Sequence, residues 1–205
     1  MARMRKRRED FILVDFYCHG VPTAHLWTRF YEGIQKKYPK KIIKEVCFRD
    51  KEAGWGSFNT KFVFEDGEVC VNRTHADLYH ELFLSNVCLN EVCYNCNYRY
   101  KKSSADIRIG DFWSEKFKDN KEGVSSVLVY SEAGDQLIRK LENCFLEEEK
   151  AEAVLEGQIE GGLEIPSIRR RMIKELGKNQ KLEKIKHTWF FVFRLQRKIK
   201  RLVKK

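Results

Sequence analysis

The chain has 205 residues, 42% hydrophobic and 34% charged, enough to bury a real core and inconsistent with a disordered polymer. No apolar run approaches the roughly eighteen residues that span a bilayer, and the basic start MARMRKRRED lacks a following apolar signal core, so a cytoplasmic protein is expected. The net charge of +10 sits in one place: Lys178 to Lys205 holds eleven Lys or Arg against Glu183 alone, which leaves the body balanced and gives no strong nucleic-acid signal.

In chain order, residues 1–10 read as a basic leader. Phe11 to Tyr17 (FILVDFY) is a continuous apolar run with one acid and reads as a buried strand of an α/β sheet. Cys18-His19-Gly20-Val21-Pro22 marks a turn, and Thr23 is placed to cap a helix to about Lys37, with Leu26, Phe30 and Ile34 on one face. Ile42 to Phe48 is a second strand. Phe58 to Glu65 alternates, Asp66-Gly67 is a hairpin turn, and Glu68 to Val71 returns. Asp77 to Ser85 reads as a helix with Leu78, Leu82 and Phe83 on one side; His75 and His80, five apart, do not share a face and read as surface residues.

Asp106 to Ile109 is a short strand into a Gly110-Asp111-Phe112-Trp113 corner. Val124 to Tyr130 is another strand, and Ser131 starts a helix with Leu137, Ile138 and Leu141 inward. Cys144 to Glu148 reads as a last short strand. Pro166 leads into a helix over Ile168 to Leu176. From residue 178 to 205, Ile185, Trp189, Val192, Ile199 and Leu202 recur at helical intervals among Lys and Arg. This is an amphipathic basic helix, packed on the body or a partner or lying on an anionic membrane surface. The expected fold is thus α/β (α+β): a mixed sheet flanked by helices, one domain over residues 11–177, with an inserted cysteine-rich loop and a basic C-terminal helix.

Seven cysteines, an odd number without a secretion signal, argue against a disulfide framework. Cys47, Cys70 and Cys144 have apolar neighbours and read as small buried hydrophobes. Cys88, Cys93 and Cys96 differ, because C-x4-C-x2-C brings three thiols into one tight loop. Thiolates hold zinc or iron–sulfur clusters, which prefer four ligands. The best fourth is Cys18, at the end of the first strand, where open α/β sheets place their sites, with Gly20 allowing close backbone approach. His19 is a core or neighbouring histidine, or a ligand in its place. Spacing leaves the cluster type open.

Five ordered blocks carry a family resemblance: VDFYCHGVPT (Val14 to Thr23), VCFRDKEAGW (Val46 to Trp55), FLSNVCLNEVCYNCNY (Phe83 to Tyr98), DIRIGDFW (Asp106 to Trp113) and GVSSVLVYSEAG (Gly123 to Gly134). Together they resemble the C-terminal domain of the coenzyme F420 hydrogenase/dehydrogenase beta-subunit family, over roughly Phe11 to Phe145. The resemblance implies a 4Fe–4S cluster on Cys18, Cys88, Cys93 and Cys96, close to FAD, with electrons passing between them and a hydride acceptor. Flavin neighbours would be Arg49, Arg108, Gly110, Asp111 and Phe112, with Trp113 beside them; each has an alternative as cap, turn or core. Relatives usually begin with a ferredoxin-like segment and a further part of the flavin domain. The expectation is therefore that a redox partner or separate chain supplies them, or that the chain is a truncated remnant. Relatives of this type also resemble companions of surface-polysaccharide synthesis. The competing readings are a structural zinc module, with the basic tail meeting nucleic acid or lipid, and a folded remnant without cofactor.

Overall fold

The computed structural model describes residues 7–72, 75–99, 102–158, 161–178, 180–187, 191 and 195. Among them are six strands: β1 (Val14–Phe16), β2 (Ile43–Asp50), β3 (Asn59–Phe64), β4 (Val69–Val71), β5 (Ile107–Asp111) and β6 (Ser125–Val129). The helices are α1 (Ala24–Lys37), α2 (Leu78–Leu84), α3 (Glu132–Arg139), α4 (Ala151–Val154), α5 (Arg169–Leu176) and α6 (Leu182–Ile185). The content is α+β, as expected. The single mixed sheet is replaced by two three-stranded sheets, in orders β1-β5-β6 and β2-β3-β4. The chain divides into two compact units, Met1–His19 with Asn95–Gly162 and Gly20–Tyr94 with Leu163–Lys205.

In the first unit, β1 runs parallel to β5 and β6 runs antiparallel to it. Asp106 ties this unit together. Its carboxylate accepts the Leu13 N–H at 2.8 Å, an Arg8 N–H at 2.8 Å and the Ser131 hydroxyl at 2.5 Å. These donors hold its pKa down to about 2. Ser131 also accepts the Gly134 N–H, which caps α3. Two residues on, Arg108 is 2% exposed and grips Asp15 with two N–H groups, at 2.7 and 2.5 Å.

The apolar run at β1 is not a buried strand. Only Val14–Phe16 is extended, and Val14 and Phe16 are 54% and 67% exposed. By register they share a sheet face with Ile109 and Val129, which are also exposed. The Gly110-Asp111 corner is likewise absent, since both residues continue β5. A Cβ at Gly110 would lie 2.6 Å from the Tyr17 ring, so close packing, not a turn, needs the glycine here. The strand expected at Cys144 to Glu148 does not form. That stretch pairs with no strand, Lys116 meets Glu147 and Glu149 by ion pairs, and Cys144 is exposed.

In the second unit, β2-β3-β4 is an antiparallel meander closed at Asp66-Gly67, where Gly67 has φ +83°. Cys47 and Cys70 lie on its strands, half-buried. Leu26, Tyr79, Leu82, Val87, Ile168, Met172 and Leu176 form the core beside them, each burial contributing about 1.5–3 kcal/mol. Asp77 caps α2 and accepts the His80 N–H at 2.9 Å and the Thr60 N–H at 2.5 Å. His80 is not a surface residue: its Nδ1 sits 2.9 Å from Asp77, buried, because the cap three residues earlier turns the ring inward. His75 is exposed. Thr23 precedes α1 but its hydroxyl makes no cap bond. Of the basic C-terminal helix, α6 and residues 186, 187, 191 and 195 are described; the rest lies outside the described residues. No helix among the described residues is long and apolar enough to cross a membrane.

Candidate functional site

The cysteine loop is anchored by a short extended pairing with the segment ahead of α1. The Thr23 N–H donates to the Cys88 carbonyl at 2.8 Å, and the Asn90 N–H donates to the Val21 carbonyl at 2.8 Å. Pro22 faces Leu89 between those bonds, at a position that needs no N–H. Gly20 has φ +147°, and a Cβ there would sit 3.0 Å from Leu89. The chain therefore approaches the loop where only glycine fits comfortably.

This pairing aims the Val21 N–H at the Cys93 sulfur, 3.3 Å away. Backbone N–H bonds to sulfur are among the features that tune iron–sulfur centres. Cys93 closes a 3-10 turn over Glu91–Cys93, and Tyr94 follows, buried, with its hydroxyl donating to the Asn86 carbonyl. Cys88 is fully buried among Leu26, Leu82 and Met172. Burial pushes its thiol up to about 12, against a smaller opposing pull from the Arg169 guanidinium. Arg169 itself donates to the Leu89 carbonyl at 3.0 Å and lies over the Tyr94 ring at 5.0 Å.

The other two sulfurs lie in the first unit. Cys18 is exposed at the end of β1, and Cys96 is half-buried. Arg99, 7% exposed, donates to the Cys18 carbonyl at 3.3 Å and to the His19 carbonyl at 3.0 Å. Neither Arg99 nor Arg169 stood out in the sequence. Both lie among other basic and polar residues, so only the partners they find in the fold distinguish them.

Four of the five expected flavin neighbours, Arg108, Gly110, Asp111 and Phe112, fall on or directly after β5. Arg108 is committed to Asp15 and the Lys102 carbonyl, Gly110 lies under Tyr17, and Phe112 is buried against Phe117 at 5.4 Å. The Asp111 carbonyl accepts the Gln158 amide at 3.1 Å. Arg49 belongs to the other unit, where it donates to the Trp55 carbonyl at 3.0 Å and lies over Phe58 at 4.6 Å. Placed so, Arg108, Gly110 and Phe112 are each held by contacts within their own unit.

Cys18, Cys88, Cys93 and Cys96 are in no disulfide, and the Cys93 sulfur receives a backbone N–H. They are divided two and two between the compact units. Among the described residues, no group of three or more His, Cys, Asp or Glu that could hold a metal ion is present.

A family model describing the C terminus of the beta subunit in coenzyme F420 hydrogenase/dehydrogenase matches residues 1–154. No curated protein and no solved structure matches the chain.

Proposed function

The chain belongs to the coenzyme F420 hydrogenase/dehydrogenase beta-subunit family, and we propose that it acts as a 4Fe–4S electron-transfer module of a flavin-dependent oxidoreductase. The observation that carries the reading is the C-x4-C-x2-C loop of Cys88, Cys93 and Cys96 within the matched segment, with the Val21 N–H directed at the Cys93 sulfur. Cys18 is the fourth proposed ligand. A cluster supplies one-electron transfer, and a flavin couples that to hydride chemistry. This chain's own residues do four things. Cys88, Cys93, Cys96 and Cys18 offer soft ligands. Val21 donates to one sulfur. Leu26, Leu82 and Met172 exclude water around Cys88. Arg99 fixes the backbone at Cys18 and His19.

FAD enters the proposal together with a partner chain carrying a ferredoxin-like domain. The exposed apolar face of Val14, Phe16, Ile109 and Val129 supports a partner, since apolar patches of this kind mark interaction surfaces. The setting we favour is surface-polysaccharide synthesis in the cytoplasm, with the basic C-terminal segment touching an anionic membrane surface.

Anaerobic purification with iron, sulfide and zinc analysis, followed by electron paramagnetic resonance, tests the reading. About four iron and four sulfide per chain, with a signal on dithionite reduction, is the expected result. One zinc per chain and no sulfide would refute it. The full burial of Cys88 among hydrocarbon side chains favours a second reading, a folded remnant without cofactor. A Cys93→Ala protein of unchanged metal content and stability would establish that one.

A further inference from the structure

A cavity of about 310 Å³ lies within the second unit, bounded by α1, β3, β4, the start of α2 and α6. That is the small end of the range for ligand pockets, about 300–1,000 Å³. Its walls are largely apolar: Phe30 and Ile34 from α1, Phe62 from β3, Leu78 from α2 and Leu182 from α6. None of Cys18, Cys88, Cys93 and Cys96 lines it, so it stands apart from the iron–sulfur reading.

Two residues give the cavity its character. Gly33 sits inside α1 between Arg29 and Lys37, four residues from each and so on one line of the helix. A Cβ there would meet nothing within 4 Å, and a glycine in mid-helix leaves this stretch of wall open. Thr60 supplies the second. By strand alternation it shares the face of Phe62, it lines the cavity, and it is 2% exposed. Its hydroxyl is buried with no hydrogen-bond partner among the described residues. A buried hydroxyl left unpaired costs free energy that a valine of the same shape would not. An apolar chamber with one unanswered hydroxyl is complementary to a molecule that brings an apolar body and one oxygen.

Charge at the cavity selects against ions. Four charged side chains line it, two of each sign: Arg29, Lys37, Asp77 and Glu183. An anion drawn to the Thr60 hydroxyl meets the Asp77 carboxylate, which accepts the N–H of the same threonine at 2.5 Å. A cation meets Arg29 and Lys37. Neither sign gains enough to offset leaving water.

We propose that this cavity is a binding site for a small uncharged molecule with a compact apolar body and one hydroxyl or carbonyl oxygen, the oxygen pairing with the Thr60 hydroxyl and the body lying against Phe30, Ile34 and Phe62.

The test titrates the full chain with benzyl alcohol, toluene, benzoate and benzylamine, followed by the amide chemical shifts of Thr60, Val71 and Leu78. Benzyl alcohol is expected to move these amides and to bind about fivefold tighter than toluene, the factor that one net hydrogen bond carries. Benzoate and benzylamine are expected to bind more weakly than the alcohol. Thr60→Val should bind alcohol and toluene equally. Gly33→Leu, whose side chain enters the open wall, should keep its circular dichroism and bind neither. The proposal is overturned if no probe moves these amides, if toluene or either ion binds as tightly as the alcohol, or if a folded Gly33→Leu binds like the wild type. Should Thr60→Val fail to fold, the wild-type ratio of alcohol to toluene and the Gly33→Leu result decide between the two outcomes.

Discussion

Two glycine-to-alanine substitutions should move stability in opposite directions. Gly134 lies inside α3, and Gly33 lies inside α1. On helix propensity alone, each change to alanine gains about 1 kcal/mol. At Gly33 the new methyl meets nothing within 4 Å, so the gain stands. At Gly134 the methyl would lie 2.7 Å from the Asp106 carbonyl oxygen and 3.1 Å from the Ile107 side chain. The first of these is backbone just ahead of β5, held by the Tyr130 N–H, and cannot swing aside. Overpacking of this kind costs about 1–3 kcal/mol, toward the upper end for a backbone clash. The net expectation is about 1–2 kcal/mol of destabilisation for Gly134→Ala and about 1 kcal/mol of stabilisation for Gly33→Ala. Urea unfolding followed by circular dichroism measures both midpoints at unchanged m-value. If Gly134→Ala matched or exceeded the parent in stability, the close seating of α3 on β5 would be wrong.

Asp106 sets a pH dependence. Its folded pKa of about 2 lies below its ordinary value of 3.8, so its contribution is complete above about pH 4 and is lost as pH falls toward 2. Asp106→Asn should be less stable at neutral pH and show a flatter acid limb between pH 4 and 2; an identical acid limb contradicts this. Asp77→Ala removes the α2 cap and strands the buried Thr60 N–H, at a cost of about 3 kcal/mol in urea unfolding. Leu82→Ala, at a fully buried position, should cost about 3 kcal/mol, and a loss under 1 kcal/mol would mean that the core around α2 is looser than described.

What the sequence revealed of the fold was mostly what neighbours in sequence decide. Asp66-Gly67 made its hairpin, Ser131 capped α3, and the Leu78 to Phe83 spacing gave α2. What depends on distant partners was not legible. His80 looked like a surface residue because its burial follows from packing and from Asp77, not from helical phase. Cys144 to Glu148 has strand-like composition, yet no sheet edge pairs with it. Gly110 signalled a turn, whereas it is needed because Tyr17 packs on the strand at that point.

The same division holds at the cysteine loop. Thiol spacing singled out Cys88, Cys93 and Cys96 as one loop, since closure over so few residues is a local matter, yet the two compact units divide between Cys93 and Cys96. The residues that steady the loop come from far away in sequence: Val21 by a bond to sulfur, Arg169 by a bond to a carbonyl. An arginine at the start of a basic helix has the composition of a solvated face, and nothing local marks it otherwise. The β1 run presents the reverse case. FILVDFY has the composition of buried chain, but Phe16 stands 67% exposed. Composition records what a segment is selected to cover, whereas exposure records what this one chain covers. The two agree only when another surface lies on that sheet face, so the β1 face is where the partner chain proposed above is to be sought.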